Sequence, residues 1–100
     1  MLLAIVRGMK ISDEAKKTLP ELVRLRREIH EYPEMGFHEK RTCALIEKTL
    51  KSSGVEAKRL CETGVVGLVR GAQPGPTLLL RADMDALPVV EENDVPYRSK

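Results

Sequence analysis

The stretch TLLLRADMDALP, residues Thr77 to Pro88, drives three consecutive leucines into an arginine and two aspartates. If the backbone stays extended there, Arg81, Asp83 and Asp85 share one face and Ala82, Met84 and Ala86 the other. Two carboxylates spaced in this way stand about 6–7 Å apart along a strand. At the end of a buried strand they repel, and one must be protonated, ion-paired or bound to a cation. The end of a central strand in an α/β sheet is also where ligands tend to bind. A structural alternative uses the same residues: Arg81 pairs with Asp83, and Asp85 accepts backbone N–H groups in the turn before Pro88. Spacing alone favours that alternative, because structural ion pairs are a common source of paired carboxylates.

Other residue types capable of chemistry are few. His30 lies in RREIHEYPE and His38 in GFHEKR, and neither has a His, Cys or acid at a catalytic zinc spacing. His30 reads as a structural histidine with its ring satisfied, and His38 as a solvent-facing residue at the start of a helix. Cys43 and Cys61 lie far apart and match no CxxC pattern, so they form neither a disulfide scaffold nor a zinc knuckle. Cys43 reads as a buried helical thiol and Cys61 as a thiol just past a strand. No GxSxG, Walker loop, GxGxxG or HExxH motif is present.

These residues need elements to position them. From Ser12 to Glu31 the apolar residues Leu19, Leu22, Val23, Leu25 and Ile29 recur at helical steps. Ser12 or Asp13 can cap the start. Pro20 either kinks this helix or sits in the first turn of a fresh one capped by Thr18. Pro33 then disfavours helical geometry at Tyr32. A second helix is expected from about Phe37 or His38 to Ser53, with Cys43, Ala44, Ile46, Leu50 and Phe37 as candidates for its apolar face. Gly54 suits the left-handed residue beyond its end. VEAKRL reads as an edge strand and TGVVGLVRG as a clearer one, with Gly67 marking a bulge or a close backbone approach. AQPGP is a turn. TLLLRADMDA reads as a third strand, apolar on both faces at first, as in the middle of a sheet. The expected fold is α/β: two N-terminal helices packed on a small three-stranded sheet. Residues 1–12 are an N-terminal extension to a unit spanning 13–100.

Composition limits the function further. With 42% hydrophobic and 32% charged residues the chain is globular, and with one Phe, two Tyr and no Trp it has no aromatic platform for bases. Its net charge of +2 gives no argument for nucleic acid. Arg24, Arg26 and Arg27 are interleaved with Glu21, Glu28 and Glu31, the pattern of a solvated helix face. MLLAIVRG has five apolar residues between Met1 and Arg7, fewer than a secretory core or a membrane span requires. The expectation is a cytoplasmic protein with neither nucleic-acid nor membrane partners.

Several stretches taken together resemble one family. LRREIHEYPEMGFHEKRT, then TGVVGLVRG, then GPTLLLRADMDALPVVEENDVPYRSK resembles the start of the amidohydrolase branch of the zinc peptidases. That branch includes aminoacylases, hippurate hydrolases and indole-acetyl-amino-acid hydrolases. The resemblance implies part of a dinuclear metallopeptidase catalytic domain from a longer protein with an inserted lid domain. It implies hydrolysis of small N-acyl amino acids with a divalent metal, zinc, manganese or cobalt, in the full-length family. In the wider superfamily the strand matching LLLRADMD ends in a metal-binding histidine, and an aspartate two residues later orients it. Asp83 falls on the histidine position, which this branch lacks, and is not expected to coordinate metal. Asp85 falls on the orienting aspartate. The family's His-Ala-Cys-Gly-His-Asp run of metal ligands is expected beyond Lys100. The chain alone is therefore expected to bind no metal and to be inactive. The alternative is a noncatalytic α/β module that self-associates through exposed apolar surface or binds a partner chain.

Overall fold

The computed structural model describes residues 11–100. The MLLAIVRG stretch and most of the expected extension lie outside the described residues. Within them run α1 (Asp13–Lys17), α2 (Leu19–Glu31), α3 (Lys40–Ser52), β1 (Glu56–Leu60) and β2 (Gly64–Leu68).

Local chemistry explains each boundary. Ser12 caps α1, its Oγ accepting the Ala15 N–H at 3.1 Å, and Asp13 and Glu14 sit in the first turn at the positive end of the helix dipole. The Thr18 hydroxyl donates to the Ala15 carbonyl at 2.7 Å, closing α1 rather than capping the next helix. A fresh helix then begins with Pro20 in its first turn, where a missing N–H costs nothing. On α2, Arg24 bridges Glu21 and Glu28 at 2.7 Å each, the solvated face that the charge pattern predicts.

The second long helix starts at Lys40, not at Phe37 or His38. Phe37 has φ 67°, outside the helical region, and is 88% exposed. The cause is Glu34, whose carboxylate accepts the N–H groups of Arg41 and Thr42 and so fixes where α3 begins. At the other end Gly54 adopts φ 78°, as a C-terminal glycine should. Leu45 and Ile46 are half-buried on α3, whereas Ala44, expected on the apolar face, is exposed.

β1 and β2 pair antiparallel, with Ala57 opposite Gly67 and Leu60 opposite Gly64. A Cβ on Gly67 would stand 3.2 Å from both Leu50 Cδ1 and Val55 Cγ1, so the expected close approach is real: α3 packs against the hairpin there. Gly64 is tighter still. A Cβ would lie 2.6 Å from the Leu60 carbonyl oxygen, which is backbone and cannot step aside. Gly64→Ala is therefore expected to destabilise the fold by about 1–3 kcal/mol through forced backbone displacement. Urea denaturation measures it, and an unchanged midpoint would contradict this packing. Cys43, wholly buried, places its Sγ 4.0 Å from the Gly64 carbonyl oxygen and ties α3 to the hairpin.

The third strand does not form. Among the described residues the sheet has two strands, and residues 77–86 belong to no regular element. Leu78, Leu79 and Leu80 are 81%, 85% and 86% exposed. A run apolar on both faces is stable as a strand only between two neighbours. Here β1 and β2 pair with each other, and neither pairs with Thr77–Arg81. The alternation nevertheless survives at the far end, where Met84 and Ala86 are half-buried and Arg81, Asp83 and Asp85 exposed.

Candidate functional site

The turn between α2 and α3, residues 33–39, gathers the polar residues. Glu34 accepts the Arg41 N–H at 2.9 Å, the Thr42 N–H at 2.7 Å and the Thr42 hydroxyl at 2.8 Å. Burial opposes its charge, but the Thr42 and Arg41 amides outweigh that and hold its carboxyl below the usual carboxylate range. The Glu34 carbonyl accepts the Ala86 N–H at 2.8 Å, which pins the end of RADMDA to this turn. Asp85 Oδ2 consequently lies 3.9 Å from where a Cβ on Gly36 would stand, so a side chain here would meet the carboxylate. His38 Nδ1 donates to the Gly36 carbonyl at 3.0 Å, and its ring is exposed, as expected. Glu39, buried at the start of α3, leaves Oε2 without a hydrogen-bond partner among the described residues.

The two aspartates have different surroundings. Asp83 Oδ1 accepts from Arg81 at 2.7 Å, both side chains exposed, which is the structural pair that spacing favours. An exposed pair of this kind contributes little stability. Asp85 does not cap the turn before Pro88. The nearby Ala86 amide goes to Glu34 and the Val89 amide to the Leu87 carbonyl, leaving Asp85 exposed at the end of the anchored segment. Among the described residues, no three His, Cys, Asp or Glu side chains converge as a metal-binding group. The donors present therefore do not fit a divalent metal centre by themselves. The free thiols are Cys43, buried on α3, and Cys61, exposed in the hairpin turn.

The sequence reading missed a second polar cluster. His30 Nε2 donates to Glu91 Oε2 at 2.9 Å across 61 residues, so His30 is a satisfied structural histidine as expected. The same oxygen accepts the Ser99 N–H at 2.8 Å and the Ser99 hydroxyl at 3.1 Å. Ser99 Oγ lies 3.1 Å from the His30 carbonyl, and the Lys100 N–H donates to the Glu31 carbonyl at 2.9 Å. Residues 91–100 are thus strapped to the end of α2. The Ser99 amide first and His30 second draw the Glu91 carboxyl down to about 2. Because the folded value is depressed, the strap's contribution is present above the ordinary glutamate range and lost as pH falls toward about 2. The Ser99 amide resonance is expected to titrate near that low value. Titration in the ordinary glutamate range would contradict the contact. VVEEND offered no signal for this role, since its acids resemble any solvated pair.

Three relatives bear on identity. The "Thermostable carboxypeptidase 1" of Saccharolobus solfataricus is 43% identical over 93 residues, which is 91% of this chain and 24% of the relative. The "N-acyl-L-amino acid amidohydrolase" of Geobacillus stearothermophilus is 39% identical over 92 residues, 91% of this chain and 24% of the relative. The "N-acetyl-L-cysteine deacetylase" of Bacillus subtilis is 42% identical over 81 residues, 80% of this chain and 20% of the relative. Identity at this level over most of the chain is decisive. The chain belongs to the amidohydrolase family. No protein-family model matches it, and no solved structure does. The chain spans about a quarter of the length of these curated relatives. Among its described residues no helix is long and apolar enough to cross a membrane.

Proposed function

We propose that this chain is the N-terminal part of a cytoplasmic hydrolase that cleaves the amide bond of small N-acyl amino acids with a metal-activated water. The metal, zinc, manganese or cobalt, would be held by side chains of the whole protein other than those described here. Asp85 serves as the carboxylate that orients one of those metal ligands without touching the metal. Asp83, already paired with Arg81, has the smaller part. The observation that carries this reading is the anchoring of RADMDA through the Ala86–Glu34 bond, which leaves Asp85 exposed at the α2–α3 turn. A carboxylate held on a fixed backbone is suited to orienting a ligand. The residues in hand do not by themselves hydrolyse the substrate.

The test is a chimera in which this chain replaces the matching residues of the Geobacillus stearothermophilus N-acyl-L-amino acid amidohydrolase. Hydrolysis of N-acetyl and N-benzoyl amino acids by the chimera supports the reading. A folded but inactive chimera overturns it.

The three exposed leucines Leu78–Leu80 favour a second reading, a noncatalytic module that self-associates. Such a run, flanked by a hairpin with open edges, invites pairing between chains. Gel filtration that stays monomeric at high concentration would exclude it.

A further inference from the structure

A cavity of about 190 Å³ lies between α2 and the strap, lined by Arg26, Arg27, His30, Glu91, Asn93 and Tyr97 among others. We propose that it binds the carboxylate group of a small monoanion, gripped by Arg26 and Arg27. The proposal is independent of the hydrolase reading and concerns a different part of the molecule from the Asp85 turn.

Three observations carry it. Arg26 and Arg27, like Arg41 and Arg98, have no ion-pair partner among the described residues, whereas Arg24 has two and Arg59, Arg70 and Arg81 have one each. The Arg27 guanidinium is also held in place. Its central carbon lies 4.5 Å from the centroid of the Tyr97 ring, and Tyr97 is itself packed edge-on against His30 at 5.7 Å. A guanidinium fixed in this way presents a planar fork matched to a carboxylate. Finally, the carboxylate already in the cavity does not compete for the two arginines. Glu91 Oε2 is taken by His30 and Ser99, and Oε1 accepts from Asn93 at 3.3 Å.

Charge and size select the ligand. Two guanidiniums against the ionised Glu91 leave the lining one positive charge, before any contribution from His30. One singly charged carboxylate balances that, whereas a doubly charged phosphate would leave an excess. The volume suits a short acid and is below the usual range for drug-sized ligands.

The experiment is a titration of the full chain, labelled with nitrogen-15 at arginine, with sodium acetate and separately with sodium phosphate. Sodium chloride at matched ionic strength is the control. Saturable shifts of the Arg26 and Arg27 side-chain resonances with acetate are expected, with Kd on the order of millimolar. Arg27→Gln is expected to weaken acetate binding roughly tenfold, the loss of one charge-assisted contact. Arg26→Gln, on the exposed face of α2, provides an independent variant with the same expectation. Shifts no larger than with chloride, binding indifferent to both substitutions, or tighter binding of phosphate than of acetate would each overturn the proposal.

Discussion

In the chimera with the Geobacillus stearothermophilus relative, Asp85→Asn is expected to lower kcat for N-acetyl amino acids roughly 10- to 100-fold, the usual cost of removing a group that orients a metal ligand. The effect should fall on metal affinity as well as on turnover, because the substitution keeps the shape of the side chain and removes its charge. Asp83→Asn should cost far less, since Asp83 spends its charge on Arg81 at the surface. Metal titration of the chimera separates this role from a purely structural one. A change that merely loosened the fold would lower the denaturation midpoint and leave the affinity of the folded fraction unchanged. Equal kcat for the parent chimera and Asp85→Asn would contradict the assignment.

Glu34→Ala is expected to destabilise the chain by about 2 kcal/mol, through loss of a helix cap and of a hydrogen bond to a buried threonine. Three acceptor contacts disappear at once, to Arg41 N, Thr42 N and Thr42 Oγ1, and Thr42 is buried. The consequence reaches the candidate site, because the Glu34 carbonyl also anchors Ala86 and hence Asp85. Glu34→Gln keeps one acceptor oxygen and should recover part of the loss. The pH dependence follows from the lowered carboxyl: its stabilisation is present above the ordinary glutamate range and lost as pH falls through the depressed folded value. Urea denaturation near neutral pH and under acid conditions checks both points. A wild-type midpoint for Glu34→Ala would mean that α3 is started by something else.

What could be read in the sequence is what local chemistry decides. Pro20 marked either a kink or a fresh helix, of which the structure has the second, and Gly54 marked a helix end because φ 78° is cheap for glycine. Gly67 was legible as a bulge or a close approach, and Arg81–Asp83 as an ion pair, since both rest on residue type and short spacing. The failures share a different cause. TLLLRADMDA has the composition of a strand, but strand formation depends on neighbours, and β1 and β2 are paired with each other. The start of α3 was set by a glutamate eight residues before Thr42, too far for a capping-box pattern to reveal. The Glu91 cluster joins residues 61 positions apart, and only the fold brings them together. The family itself was legible because RREIHEYPE and RADMDALP occur in one chain in order, and the relatives bear that out.

In the proposed function this chain supplies a positioning carboxylate while the metal donors lie elsewhere in the protein. Calorimetric titration of the purified 100-residue chain with zinc, manganese and cobalt tests it most directly. No stoichiometric binding of any of the three is expected. Tight one-to-one binding abolished by Asp85→Asn or His38→Ala would contradict it, placing the metal site among Asp83, Asp85, His30 and His38.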